Sequence, residues 1–211
     1  MLEVTEDVLQ QLGRLVAGAL SDSLGALDRH DLVLADQVVR GDAEINRLRY
    51  HAEEQITARL PGSTVSDARW MVAALYVISE LERMGDHAEG IAKVSLMLGP
   101  SPSLPIPAVI GEMGDQTISM VDRTLAALDK RDVKAARALC REDDEIDSLY
   151  DRAYQELLST MVSDNRHVTE ATYMIWVTHN LERIADRATN ICERVVYLAT
   201  GHVEELNVSK Y

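Results

Sequence analysis

The chain has 211 residues, of which 35 are acidic and 21 are basic, so its formal net charge is −14 at pH 7. This acidic balance argues against nucleic acid and against direct contact with anionic lipid, since both require a basic surface. Two cysteines are too few for a disulfide framework, and the acidic N-terminal segment lacks the form of a signal peptide. The longest apolar run without charge, residues 70–78, is too short to span a bilayer. We therefore expect a cytoplasmic location.

Apolar residues recur at helical spacing along almost the whole chain, and the prolines fall in the gaps. The pattern predicts six helices, over residues 3–29, 31–60, 64–98, 106–129, 131–164 and 167–200. Asp31 and Asp132 are predicted N-caps, because an aspartate side chain can accept hydrogen bonds from the free amides of a first helical turn. Helices of about 30 residues favour an elongated bundle over a compact globin-like packing.

The two halves of the chain resemble each other at a spacing of about 100 residues. Between residues 77–86 and 177–186, a Val, a Leu, a Glu, an Arg and an Asp return at the same places, and residues 42–48 match 143–149. We therefore predict an all-α fold of two tandem three-helix bundles related by internal duplication. The predicted parts are a first repeat over residues 1–99, a proline-rich linker over 100–107, a second repeat over 108–202 and a C-terminal tail over 203–211.

The predicted second and third helices of each repeat carry acidic or amide side chains four residues apart. These pairs are Asp42 with Asn46 and Glu82 with Asp86 in the first repeat, and Asp143 with Asp147 and Glu182 with Asp186 in the second. Residues four apart share one helix face, where like charges repel unless a cation offsets them. That cation is either a hard metal ion or the guanidinium of Arg83 and Arg183 within the motif. A solvated acidic face is the third interpretation.

No catalytic set is recognisable in the sequence. The Glu-x-x-His of di-iron bundles, zinc patterns, glycine-rich phosphate loops and Ser/His/Asp arrangements are all absent. His87 and His179 flank the acidic motifs and are either outer metal ligands or ordinary helix-surface residues. Cys192 takes the place of Ala92 in the repeat, which predicts a small core residue, and the acidic residues after Cys140 oppose thiolate formation.

Residues 181–193, LERIADRATNICE, followed by VVYLATG at 195–201, resemble the signature of the PhoU phosphate-signalling proteins. Residues 81–88, LERMGDHA, resemble its first-repeat counterpart. The chain length and the duplicated three-helix units extend this resemblance over nearly the whole chain. The chain departs from the family pattern at Ala185, where glycine is usual, and at Asn46.

The resemblance implies a non-enzymatic regulator that represses high-affinity phosphate uptake and the phosphate-starvation response when phosphate is plentiful. The implied partners are a membrane sensor histidine kinase and the ATPase of an ATP-binding cassette phosphate transporter, so that membrane association is indirect. A homodimer is expected. The resemblance also implies bound metal ions, with iron, manganese, magnesium or zinc as candidates. Carried over to this chain, the ligands are Asp42, Glu82, Asp86, Asp143, Asp147, Glu182 and Asp186, with Arg83 and Arg183 as supporting residues.

Two other functions remain open from the residues. A carboxylate-bridged metal enzyme would need open coordination positions and measurable turnover. A purely structural helical oligomer would leave the acidic faces without metal. Metal analysis and turnover assays separate these alternatives from a regulatory adaptor.

Overall fold

The computed structural model describes residues 3–206, and in this part of the chain it consists of six long helices and one short 3₁₀ turn. The helices are α1 (Glu3–Arg29), α2 (Leu32–Arg59), α3 (Val65–Leu98), α4 (Ala108–Lys130), α5 (Val133–Ser163) and α6 (Val168–Thr200), with the 3₁₀ turn at Asn165–His167. The all-α prediction is confirmed, and each predicted helix end lies within about two residues of the observed one, the usual uncertainty of a helix boundary. Residues 1 and 2 of the predicted first repeat and 207–211 of the predicted tail lie outside the described residues.

The tight joints between helices confirm the two predicted N-caps. Asp31 accepts hydrogen bonds from the amides of Val33 and Leu34 at the start of α2. Asp132 accepts one from the amide of Ala135 at the start of α5. Each cap therefore satisfies amides that have no partner within the helix, and this lets α1 turn sharply into α2 and α4 into α5.

The third helix of each repeat lies at the centre of the molecule. α3 and α6 pack against each other, α1 and α2 cover α3, and α4 and α5 cover α6. The apolar faces of α3 and α6 are buried at Leu81, Met84, Leu181 and Ile184. One continuous hydrophobic core contains residues from all six helices. The repeats therefore share a core, because each central helix is apolar on the side that meets the other.

The same glycine–leucine contact occurs at both ends of the crossing between α1 and α4. A Cβ at Gly13 would lie 2.8 Å from Leu125 Cδ2, and a Cβ at Gly114 would lie 3.0 Å from Leu24 Cδ1. These positions are equivalent in the two repeats. The two glycines let α1 and α4 approach closely, and their arrangement relates the repeats by an approximate two-fold axis.

The proline-rich linker is anchored to the start of α6. The backbone amides of Ser103 and Leu104 donate hydrogen bonds to the Glu170 carboxylate, over 2.9 and 2.7 Å. The Leu104 side chain is buried in the shared core. The linker thus closes one end of the bundle.

Candidate functional site

The acidic motifs of each repeat lie along the contact between its second and third helices. We call these contacts the first acidic seam, between α2 and α3, and the second acidic seam, between α5 and α6. In the first seam, a Cβ at Gly85 would lie 3.0 Å from Ile45 Cδ1 and 3.7 Å from Asp42 Oδ1. This close approach places Asp42 beside the turn of α3 that carries Glu82 and Asp86.

An arginine from α2 neutralises the first acidic seam. The Arg49 guanidinium donates to Glu82 and also to Glu53, the latter over 2.9 Å. Asp42 Oδ2 accepts from Asn46 Nδ2 over 2.7 Å, whereas Asp42 Oδ1 is buried without a hydrogen-bond partner. The first seam thus combines one ion-paired carboxylate with one incompletely satisfied carboxylate.

Two carboxyl groups of the first seam have raised pKa values. Burial raises the pKa of Asp42, and the charges of Glu89 and Asp86 raise it further. Burial also raises the pKa of Asp86, with the charge of Glu82 as the next cause. The seam therefore favours either a proton or an added cation.

The second acidic seam is neutralised from within its own motif. Arg183 Nη1 lies 3.1 Å from Asp186 Oδ2, and Arg183 Nε lies 3.4 Å from Glu182 Oε2. Glu182 Oε2 is nevertheless buried and accepts no hydrogen bond. Burial and then the charge of Asp186 raise the pKa of Glu182, and Arg183 opposes this while Asp147 adds to it. On the α5 side of the motif, Asp143 is buried.

The predicted supporting arginines behave differently in the two repeats. Arg183 bridges both carboxylates of its own motif, as the internal ion-pair interpretation expects. Arg83 instead has Glu80 as its ion-pair partner, over 3.8 Å. In the first seam it is Arg49 that pairs with Glu82. Arg49 was not among the sequence candidates, because its distance along the chain from Glu82 gives no local signal.

The two flanking histidines also differ. His87 Nδ1 lies 3.0 Å from Asn180 Oδ1 across the contact between α3 and α6. His179 Nδ1 lies 3.9 Å from Glu182 Oε2, and its ring is half exposed. His87 therefore belongs to the contact between the repeats, while His179 stands beside the second seam.

The donor chemistry of both seams suits a hard cation, which binds carboxylate oxygen. Asp42 Oδ1 and Glu182 Oε2 supply one buried oxygen without a hydrogen-bond partner in each seam. Within residues 3–206, however, no three His, Cys, Asp or Glu side chains are grouped so that they could hold a metal ion. A cation would therefore need the carboxylates to turn away from Arg49 and Arg183.

A polar cluster between the repeats was not predicted. Glu80 is buried, and its Oε2 lies 3.4 Å from Arg187 Nη1 and 3.1 Å from Asn190 Nδ2. The pair of His87 with Asn180 occupies the equivalent place on the other side of the approximate two-fold axis. Comparison of the repeats could not reveal this cluster, because the residue types at its positions differ between the two halves.

The two cysteines are neighbours in the core. Both are free and buried, and Cys192 is thereby confirmed as a small core residue. Cys140 Sγ lies 3.8 Å from the carbonyl oxygen of Thr189, and Cys192 Sγ lies 3.5 Å from Thr124 Oγ1. A hydrogen bond with Cys192, together with burial, raises the pKa of Cys140. This agrees with the expectation that thiolate formation at Cys140 is opposed.

None of the helices in residues 3–206 combines the length and apolarity that a membrane span requires.

Fold and seams together define a class of protein: two tandem three-helix repeats around a shared core, each with an acidic seam between its second and third helices. A family model described as "PhoU domain" matches residues 9–95 and 110–195. The chain belongs to the PhoU family.

Individual relatives agree with this assignment over nearly the full length of the chain. A Clostridium acetobutylicum protein named "Phosphate-specific transport system accessory protein PhoU homolog" is 32% identical over 209 residues, which cover 98% of this chain and 95% of that protein. The crystal structure of the phosphate transport system regulatory protein PhoU from Streptococcus pneumoniae matches with a TM-score of 0.91, at 31% identity and 97% coverage of both chains. That of PhoU from Pseudomonas aeruginosa matches with a TM-score of 0.92, at 31% identity, covering 95% of this chain and 98% of that one.

Proposed function

We propose that this chain is a cytoplasmic accessory protein of a phosphate transport system and that it regulates phosphate uptake. It acts as a negative regulator of the high-affinity transporter and of the two-component phosphate-starvation response. The observation that carries the proposal is the full-length similarity to the Clostridium acetobutylicum relative, whose name states an accessory role in phosphate-specific transport. The two tandem PhoU domains support the same conclusion.

The proposed action is non-enzymatic and depends on contacts between proteins. Long helices offer extended faces for docking, and the net charge of −14 favours partners with basic surfaces, because complementary charge speeds encounter and disfavours wrong partners. The proposed partners are the transporter ATPase and the membrane sensor histidine kinase, and the proposed state is a homodimer. Contact with the membrane is then indirect.

Metal binding by the seam carboxylates stays a prediction, and we propose that the bound metal ion is the regulatory element of the seams. The ligands would be Asp42, Glu82 and Asp86 in the first seam, and Asp143, Asp147, Glu182 and Asp186 in the second. A bound iron, manganese, magnesium or zinc ion would supply the positive charge that offsets the carboxylates and would tie the second helix of a repeat to the third. The buried oxygens of Asp42 and Glu182 that accept no hydrogen bond support this, and the ion pairs of Arg49 and Arg183 compete with it.

Deletion of the gene tests the proposed function. In cells with ample phosphate, deletion should raise both phosphate uptake and expression from a phosphate-starvation promoter, and the intact gene should restore repression. Purified protein should capture the transporter ATPase and the kinase, and it should show no turnover. Unchanged uptake and promoter activity after deletion would contradict the proposal.

Metal binding has its own measurement. Protein purified without chelators should contain metal by elemental analysis, and the Asp42→Asn/Glu182→Gln variant should contain less. The Asp36→Ala variant is a matched control, since Asp36 is a half-exposed α2 carboxylate outside the seam. Equal metal content in all three proteins would contradict the metal proposal without affecting the regulatory one.

A further inference from the structure

A cavity of about 640 Å³ opens between the two repeats, at the end of the bundle where α1 begins and α4 ends. Its apolar wall includes Leu9, Trp70, Ala74, Val77, Leu128 and Leu198, which come from α1, α3, α4 and α6. The volume lies within the range of about 300–1,000 Å³ that is typical of small-molecule sites. The cavity is distinct from both acidic seams, which lie between α2 and α3 and between α5 and α6.

The opposite end of the same contact between repeats is filled. Met174 takes the place that Ala74 has in the first repeat, and its side chain is completely buried. The linker adds the buried Leu104 side chain at that end and is held there by Glu170. The repeat architecture therefore creates two equivalent gaps, of which a larger side chain and the linker fill one. Within the described part of the chain the other gap is open, lined by the smaller Ala74, and the linker lies at the opposite end.

Basic residues line the open cavity together with its apolar wall. Arg14 and Lys130 both border it, and neither forms an ion pair with a carboxylate among the side chains that the structure describes. Arg131 also borders the cavity. One carboxylate is present, Asp129, and it accepts a hydrogen bond of 2.6 Å from Gln10. Arg14 and Lys130 therefore bring two positive charges to the described lining of the cavity, in a chain whose net charge is −14.

The filled end repeats this charge pattern only in part. The position equivalent to Arg14 is Asp115, and the position equivalent to Lys130 is Arg29. The open cavity thus differs from its counterpart in two independent ways: its free volume, and the basic Arg14 where the counterpart has the acidic Asp115. The free volume favours a ligand with an apolar part, and the basic residue favours one with a negative charge.

We infer that the cavity binds an amphiphilic anion, specifically an aliphatic chain that ends in a carboxylate. The chain would lie against Trp70, Ala74 and Leu198, where its burial is favourable. The carboxylate would lie toward Arg14 and Lys130, whose hydrogen bonds to an anion are charge-assisted. An inorganic anion would leave the apolar wall uncovered, and a neutral or cationic amphiphile would leave the basic residues unpaired.

Tryptophan fluorescence can report on this cavity directly. The chain has two tryptophans, and Trp176 is half exposed on α6, so a Trp176→Phe variant keeps Trp70 as the single emitter. Titration of this variant with dodecanoate, below its micelle concentration, should give a saturable change in Trp70 emission. Dodecanol and dodecyltrimethylammonium should bind about tenfold more weakly or worse, because they lack the charge-assisted contact.

Two further variants in the Trp176→Phe background locate the site. Ala74→Met copies the filled end and should abolish the dodecanoate response, with circular dichroism to confirm that the protein is folded. Arg14→Gln/Lys130→Gln should weaken dodecanoate binding by about tenfold and leave dodecanol binding unchanged. Arg40→Gln, an exposed α2 arginine outside the cavity, is the matched charge control and should have no effect.

Three results would each overturn the inference. The first is the absence of a saturable response to dodecanoate. The second is equal affinity for dodecanoate, dodecanol and dodecyltrimethylammonium, which would indicate an apolar cavity without anion preference. The third is a full dodecanoate response in a folded Ala74→Met variant or in Arg14→Gln/Lys130→Gln.

Discussion

Arg187 on α6 lies beside the buried carboxylate of Glu80 on α3, with 3.4 Å between Arg187 Nη1 and Glu80 Oε2. Asn190 donates to the same oxygen over 3.1 Å. The side chain of Glu80 is only 4% exposed, so these partners replace nearly all of its hydration. Such partners stabilise a carboxylate between the two repeats, because an unpaired buried charge is costly.

Removal of this carboxylate should weaken the contact between the repeats. We expect Glu80→Ala to lower the free energy of unfolding by about 3 kcal/mol, because Arg187 would remain as an uncompensated charge in a largely buried place. Urea unfolding followed by circular dichroism measures the change. Asp36→Ala, which removes an exposed ion pair with Arg40, should cost at most about 0.5 kcal/mol. Equal losses in the two variants would contradict this account.

The second acidic seam should make stability depend on pH. Burial and the charge of Asp186 raise the pKa of Glu182, so the folded protein binds a proton at this carboxyl more tightly than the unfolded chain does. The stabilising contribution of Glu182 is therefore present below the ordinary carboxyl pKa and is lost as pH rises through the raised pKa. Glu182→Gln, measured in the presence of a chelator, should be more stable than the parent at pH 7 by about 0.5 kcal/mol, the size of a like-charge i,i+4 repulsion. The difference should disappear in acid.

A carboxylate with the opposite shift provides the control for this experiment. Hydrogen bonds from Arg123, over 2.6 and 2.8 Å, hold the pKa of Glu142 below its usual range. Its contribution is present above the ordinary carboxyl pKa and is lost as pH falls through the lowered one. Glu142→Gln should therefore destabilise the protein at pH 7. The same sign of change for Glu142→Gln and Glu182→Gln would contradict one of the two assigned shifts.

The linker anchor should control protease access. Glu170→Ala removes the acceptor for the Ser103 hydroxyl and for the amides of Ser103 and Leu104. We expect a loss of about 2 kcal/mol in stability and faster cleavage by thermolysin at residues 100–107. Glu112→Ala, which removes an exposed ion pair with Arg152 on the same repeat, is the control. Unchanged cleavage of Glu170→Ala would show that Leu104 burial alone holds the linker.

The cysteine pair should be unreactive in the folded protein. A hydrogen bond with Cys192 and burial raise the pKa of Cys140, and both thiols are buried away from a disulfide reagent. Ellman's reagent should label both thiols only after unfolding. Cys192→Ala should cost about 1 kcal/mol, since Ala92 fills the equivalent place in the first repeat. Rapid labelling of the native protein would refute the prediction.

Most of the helical framework was predictable from local patterns. The spacing of apolar residues and the position of the prolines predicted six helices, and Asp31 and Asp132 were correctly predicted as N-caps. Duplication of the Glu-Arg-x-x-Asp motif predicted two equivalent acidic faces. These predictions succeed because helical periodicity, capping and chain breaks depend on residues close together in sequence.

Contacts between distant residues were less predictable. The partner of Glu82 is Arg49 in place of Arg83, because the packing of α2 against α3 brings Arg49 to the seam while Arg83 lies next to Glu80. The neighbouring places of Cys140 and Cys192 depend in the same way on how α5 and α6 meet. No spacing within either segment reports such a contact.

The amino-acid order was sufficient to specify the six helices, their apolar faces and the two-fold repetition, since each arises from interactions within a few turns of chain. Packing of the helices selected which arginine neutralises each acidic seam, and it left a cavity at Ala74 while Met174 and Leu104 filled the equivalent end. Such outcomes depend on the rotation of each helix about its axis and on the volumes of side chains that meet across the bundle.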